Sequence, residues 1–177
     1  PPNRDESRVV ALGEALARSG VVVMIPWLET QAQNKIVPDD IDGLVRGFQH
    51  LRAMDRVAAD RVGMGGICTG ASMVTVAAQD DRIRSQVRFV NFFAGYYDAN
   101  DLVRAIGSRS RFYGDRVAPW DPDELTLRLL TEHLIDGVAD PDDKAALTRL
   151  FIDKASSADG GPVSLSEEGF AVYRLIQ

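Results

Sequence analysis

The sequence predicts an α/β fold in which helices cover a parallel sheet. Helical and strand-like segments alternate along residues 7–98, the order typical of parallel strands joined by helices. The segment at 21–25 is apolar and β-branched without alternation, as expected of a strand covered on both faces. The 177 residues, 45% of them hydrophobic, suffice for a substantial core.

Residues 1–108 are predicted to form the core segment. Apolar residues at helical spacing, an opening Asp at position 40 and runs of β-branched residues define its elements. The helices are predicted at 7–19, from 40 to about 51 and at 72–79, and the strands at 21–25, 61–65 and 87–93. Each strand is followed by polar or glycine-rich sequence, where the side chains of a site would gather.

Residues 109–177 are predicted to be helix and loop only. "DPDE" at 121–124 and "DPDD" at 140–143 are near-duplicate helix starts, each with an Asp to cap free N–H groups and a Pro at the first helical position. Ser166 starts a further helix. This second segment is expected to form a lid over the carboxyl edge of the sheet, with aromatic residues that restrict access: Phe112, Tyr113, Trp120 and Tyr173.

Composition and charge exclude several classes of function. The net charge is −6 and no run of Lys and Arg forms a basic stripe, so nucleic acid is not an expected partner. The longest apolar run, 21–25, is too short to span a bilayer. A single cysteine fits a reducing compartment, and we expect a cytoplasmic location. Neither a metal-ligand spacing nor a phosphate or dinucleotide motif occurs, so no metal or cofactor is predicted.

The stretch "GGICTGA" at 65–71 places Cys68 between a predicted strand and a predicted helix. A nucleophile there is held above the sheet, and the helix N-terminus offers N–H groups that stabilise a thiolate or an oxyanion. The crowded turn needs small residues two positions either side, and Gly66 and Gly70 meet that need. The pattern therefore favours a strained catalytic turn over the buried, inert cysteine that composition alone would suggest.

This motif resembles the nucleophile elbow of the α/β-hydrolase superfamily, and its cysteine is most similar to the dienelactone hydrolase branch. Ala71 stands where that branch has its last glycine. The resemblance covers the order of elements over residues 5–98 and implies a doubly wound parallel sheet with a helical cap. It also implies a small ester-like substrate (an ester, lactone or thioester), attack by the Cys68 thiolate, and an oxyanion hydrogen bond from the Thr69 backbone N–H.

The base that such a thiol needs is harder to assign. The two histidines, His50 and His133, fall within predicted helices, and an ordinary helix role is favoured for both. Asp98 and Glu29 follow predicted strands at the expected edge, yet both also suit simple loops. The superfamily's histidine follows the last strand of the sheet, which this segment lacks. Two alternatives therefore stay open: a hydrolase-like binding scaffold without catalysis, and a redox-responsive thiol.

The resemblance further predicts that these residues are an internal piece of a longer chain. In the superfamily a strand lies between those expected here at 21–25 and 61–65, and it would precede Pro1 in sequence. The gap would leave two apolar strand edges with unpaired backbone groups. We therefore expect self-association, or pairing with another segment or chain.

Overall fold

The computed structural model describes residues 5–33, 35–153 and 164–177, and the chain divides after Tyr97 into two units. The predicted boundary between core and cap lies further along, between residues 108 and 109. The elements are, in chain order, α1 (Ser7–Arg18), α2 (Glu29–Ala32), α3 (Asp39–Arg52), β1 (Met64–Ile67), α4 (Thr69–Ala77), β2 (Val90–Phe93), α5 (Ala99–Gly107), β3 (Ser110–Tyr113), β4 (Arg116–Pro119), α6 (Glu124–Asp136), α7 (Pro141–Phe151) and α8 (Glu167–Ile176).

The first unit contains a small parallel sheet, as predicted. β1 pairs with β2 in parallel, in a register that runs from Met64 opposite Val90 to Ile67 opposite Phe93. β1 begins and ends later than the predicted strand at 61–65, and β2 covers only the last four residues of the predicted strand at 87–93. A further hydrogen bond, from the Arg88 N–H to the Val62 carbonyl, continues the pairing before β1 begins. The α/β class is therefore confirmed as a mixture of helices with a parallel strand pair.

The core of the first unit lies between α3, α4 and the covered face of β1. Val45 of α3 and Ile83, which follows α4, are fully buried, and Met64 brings β1 into the same cluster. The remaining buried members are Leu44, Phe48, Val62, Met73, Val74 and Ala77. Because Gly65 and Ile67 alternate with the covered residues of β1 and are exposed, the described residues cover only one face of this strand.

The predicted strand at 21–25 is wrong. These residues form no regular element and pair with no strand in the part of the chain that the structure describes. Val21 and Ile25 keep about half of their surface exposed, at 48% and 52%. The apolar, β-branched sequence supplies strand propensity, but a strand also needs a hydrogen-bonding neighbour, and β1 pairs only with β2 among the described residues.

The prediction that residues 109–177 contain only helix and loop is also wrong. β3 and β4 form an antiparallel hairpin in a sheet of their own, with Tyr113 opposite Arg116 at the closing position. Gly114 lies in the turn with φ of 61°, a backbone conformation that glycine adopts without strain. The dipeptide Gly114-Asp115 between two short runs is a hairpin signal that the helical interpretation missed.

The three helices that follow begin largely as predicted. Asp140 accepts hydrogen bonds from the N–H groups of Asp142 and Asp143 at the start of α7, and Ser166 caps α8. For α6 the capping Asp of "DPDE" is Asp123, which accepts from the Thr126 N–H, so Pro122 precedes the helix instead of taking its first position. A second core joins these helices around Ile135, Val138 and Leu147. Among the described residues, no helix combines the length and the apolar character that crossing a membrane requires.

Candidate functional site

Cys68 lies in a strained turn that links β1 to α4, as the sequence predicts. Its φ is 56° and its ψ is −132°, and it occupies the N-cap position of α4. A non-glycine residue in such a conformation costs about 1–3 kcal/mol and persists only where the surroundings enforce it.

Local contacts hold this turn in place. The Cys68 N–H donates to the Phe93 carbonyl at the end of β2 (2.9 Å), and its carbonyl accepts from the Ala71 N–H (2.9 Å). A Cβ atom added to Gly66 would collide with the backbone of Gly70, so the chain can double back here only with glycine at position 66. The prediction of a required small residue is confirmed on this side of Cys68.

The other side of the glycine frame differs from the prediction. A Cβ atom added to Gly70 would meet no described atom within 4 Å, so the described chain does not require glycine there. The crowding falls one residue later, where Ala71 is fully buried and its Cβ would lie 2.8 Å from a Cβ atom added to Gly95. A small residue is therefore needed at Ala71 because the loop after β2 packs on it.

The thiol group itself is accessible. Cys68 is exposed, and its Sγ lies 4.0 Å from the hydroxyl oxygen of Thr69. Thr69 is the first residue of α4, and the N–H of a residue in this position has no acceptor within its own helix. The residue next to Cys68 therefore has a backbone N–H group without an acceptor in α4.

Ser72, which the sequence analysis did not single out, ties this turn to the neighbouring strand end. Its hydroxyl donates to the Tyr96 carbonyl (2.7 Å) and accepts from the Tyr96 N–H (3.0 Å). Between β2 and Tyr96, Ala94 also adopts a positive φ of 55°. The two strand ends thus carry strained turns that are fastened to each other. No sequence pattern indicates a contact between residues so far apart in the chain.

We expect Ser72→Ala to lower the free energy of unfolding by about 1–3 kcal/mol, because the substitution removes both hydrogen bonds to Tyr96. Urea denaturation would measure the loss. The matched control is Thr75→Ala, because the Thr75 hydroxyl bonds only to the Ala71 carbonyl within α4 and is also half-buried. An equal loss in both variants would contradict a specific role for Ser72.

The candidate base and acid residues lie within helices or at their ends. His50 is exposed in the last turn of α3, and Glu29 is exposed in the first turn of α2. Asp98 caps α5 by accepting from the Asn100 N–H, and His133 Nδ1 lies 2.8 Å from the Leu129 carbonyl oxygen in α6. Within the described residues of the first unit, no hydrogen bond joins the Cys68 thiol to His50 or Glu29.

Asp80 and Asp81 form ion pairs shortly after the end of α4. Arg82 hydrogen-bonds Asp80 through its side chain (2.8 Å) and its backbone N–H (2.9 Å), which lowers the pKa of Asp80 to about 2. Asp80 therefore stays ionised at neutral pH. Asp81 pairs with Arg84 at 3.2 Å.

The described residues also bear on metals. Residues 5–33, 35–153 and 164–177 contain no group of three or more His, Cys, Asp or Glu side chains that could hold a metal ion. The site is distinguished by the strained backbone geometry of the Cys68 turn. A scan against protein-family models and searches of curated proteins and of solved structures found no match to this chain.

Proposed function

We propose that the chain carries the cysteine nucleophile of an α/β-hydrolase that cleaves an ester, lactone or thioester. One observation supports the proposal above all: Cys68 holds a strained, positive-φ conformation between a parallel strand and a helix, with its thiol exposed. Strain of this kind concentrates at functional sites, where it fixes a reacting group in place. The proposal includes the superfamily's doubly wound sheet and cap.

The chemistry proceeds in two steps. The Cys68 thiolate forms a bond to the substrate's carbonyl carbon, and the π electrons move to the carbonyl oxygen, which receives a hydrogen bond from the Thr69 N–H. Collapse of this intermediate expels the alcohol or thiol, which takes up a proton, and leaves a thioester on Cys68. Water then attacks the thioester, releases the carboxylic acid and restores the thiolate.

The surroundings of Cys68 leave room for the carbonyl group of a substrate to reach the thiol. The thiol is exposed, and Gly65 and Gly66 leave little side-chain bulk in the strand before it. A histidine base with an orienting carboxylate belongs to the proposal through the resemblance to the superfamily, and we assign neither to a residue of this chain. Without them, acylation of Cys68 is expected to proceed faster than its hydrolysis.

We expect p-nitrophenyl acetate to acylate Cys68 faster than it acylates N-acetylcysteine, because the turn exposes the thiol and the Thr69 N–H stabilises the developing oxyanion. Release of p-nitrophenol would report the rate, and mass spectrometry would locate the acetyl group. Removal of one oxyanion donor costs about 10²–10³ in rate in other enzymes, so an advantage of about tenfold or more over the model thiol is expected.

Two controls make this result specific. Cys68→Ala should abolish the adduct, because Cys68 is the only cysteine in the sequence. The urea-unfolded protein should react no faster than N-acetylcysteine, because unfolding removes the turn. A native protein that is acylated at the model-thiol rate would contradict the proposal.

The exposure of Cys68 also favours a second candidate, a redox-responsive thiol. In that case dilute hydrogen peroxide should convert Cys68 to a sulfenic acid that dimedone traps and that dithiothreitol reduces. Rapid peroxide oxidation together with acylation at the model-thiol rate would favour the redox function over the hydrolase.

A further inference from the structure

The β3–β4 hairpin and the helix before it concentrate arginine in an otherwise acidic chain. Residues 104–120 contain four arginines and one acidic residue, Asp115, whereas the whole chain has a net charge of −6. The arginines are Arg104, Arg109, Arg111 and Arg116. Three of these arginines stack on aromatic rings, and these contacts fix the positions of their guanidinium groups.

The pairing of the strands sorts these side chains onto two faces. Arg111 opposite Ala118 and Tyr113 opposite Arg116 share one face, since cross-strand partners and alternate residues point the same way. The guanidinium carbon of Arg111 lies 3.8 Å from the centre of the Trp120 ring, and that of Arg116 lies 5.2 Å from the Tyr113 ring. We call Arg111, Tyr113, Arg116 and Trp120 the arginine face.

The other side of the hairpin differs from the arginine face. Phe112 is half-buried there, and Arg104 of α5 covers its ring at 3.9 Å. Arg109 forms an ion pair with Asp121 at 2.7 Å. Arg104 and Arg109 are therefore already engaged by partners within the second unit.

The cations of the arginine face lack such partners. Arg111 and Arg116 are exposed, and neither forms an ion pair with any residue that the structure describes. Stacking on an aromatic ring orients a guanidinium group without neutralising it, and its N–H groups stay available at the edge of the plane. Such a group binds a carboxylate through two parallel hydrogen bonds.

We propose that the arginine face docks an extended acidic peptide segment of a partner protein. Arg111 lies two residues from Tyr113, the cross-strand neighbour of Arg116, so the backbone positions of the two arginines are offset by about 7 Å along the strand direction. Carboxylates at alternate positions of an extended peptide repeat at the same spacing. The strand edges of the hairpin add backbone N–H and C=O groups that can pair with such a peptide.

An acidic peptide fits this face better than a nucleic acid does. Tyr113 and Trp120 each have a guanidinium over the ring, which leaves less aromatic surface for base stacking. The net charge of −6 opposes a long polyanion, while a short acidic peptide carries few charges to repel.

Fluorescence anisotropy on the full chain tests the proposal. The probe is a short fluorescein-labelled peptide of alternating Glu and Val, and its matched control replaces each Glu with Gln. We expect binding of the Glu peptide only, weakened by added salt. Arg111→Gln and Arg116→Gln should each weaken binding about threefold to fivefold, and the double variant about tenfold, as for exposed charge pairs.

Arg128→Gln is the control variant, because Arg128 lies in the same unit and already pairs with Glu132 at 2.8 Å. The Arg128→Gln substitution removes one positive charge and should leave the affinity for the Glu peptide unchanged. Circular dichroism would establish that each variant is folded. The proposal is overturned by equal binding of the Gln peptide, by unchanged binding in the double variant, or by tighter binding of a single-stranded DNA oligonucleotide. None of these outcomes bears on Cys68, so the hydrolase proposal is tested separately.

Discussion

Gly66→Ala is expected to lower the free energy of unfolding by about 3 kcal/mol or more, at the upper end for overpacked sites. A Cβ atom at position 66 would collide with the backbone of Gly70 and Ala71, which cannot rotate away as a flexible side chain could. The turn would have to open, and Cys68 would lose the conformation that exposes its thiol. Urea denaturation would measure the stability, and acylation by p-nitrophenyl acetate would report the turn.

The chain offers two matched controls for this substitution. A Cβ atom at Gly65, the adjacent residue of β1, would lie 3.5 Å from the Asn91 Cβ, which is an ordinary contact. A Cβ atom at Gly70 would meet no described atom within 4 Å, and alanine is the better helix former in the first turn of α4. Gly65→Ala and Gly70→Ala should therefore change stability by less than about 1 kcal/mol. If Gly66→Ala is as stable as these variants, the turn is not held by crowding.

The turn at Cys68 could be predicted from sequence because its cause is local. The glycine that matters, Gly66, lies two residues from Cys68, and the atoms it would strike lie in the next few residues. A five-residue pattern between a strand and a helix therefore contains most of the information. The requirement at Gly70 could not be judged in the same way, since it depends on what packs against the start of α4 from elsewhere.

The strand expected at 21–25 fails for a non-local reason. Its β-branched residues have high strand propensity, but pairing requires a neighbouring strand, and β1 hydrogen-bonds only to β2 among the described residues. The hydrogen bonds between Ser72 and Tyr96 were missed for the same reason, because they join residues in different elements. Sequence periodicity indicates which face of a helix or strand is apolar. It does not indicate which other element packs against that face.

The hairpin was missed because its sequence offers no apolar alternation. β3 and β4 consist mainly of polar, aromatic and small residues, and the exposed face carries arginines rather than a simple polar pattern. The two-residue turn at Gly114-Asp115 was the usable signal. Helix α6 begins two residues later than the position of Pro122 predicts, because Asp121 and Asp123 are equally good caps in sequence and Asp121 is engaged by Arg109.

The purified 177-residue chain is expected to self-associate through β1. In the described residues, β1 and β2 form a two-stranded sheet, so each strand has an unpaired edge. Met64 and Cys68 direct their N–H groups to β2, which leaves the backbone groups of Gly65 and Ile67 at the open edge. Ile67 and Phe93 are also 61% and 64% exposed. Sedimentation velocity over about 1–100 μM should show mass increasing with concentration.

Ile67→Lys should shift this equilibrium toward the monomer, because a lysine on an exposed edge strand opposes pairing with another strand. Val76→Lys is the matched control: Val76 is 54% exposed on α4, and its backbone groups lie within a helix. Dithiothreitol must be present throughout, since an intermolecular disulfide at Cys68 would imitate association. A monomer at every concentration, with a cooperative thermal transition, would show that a two-stranded sheet suffices for this chain. Association that survives Ile67→Lys but not Val76→Lys would place the contact on α4 instead of the open edge.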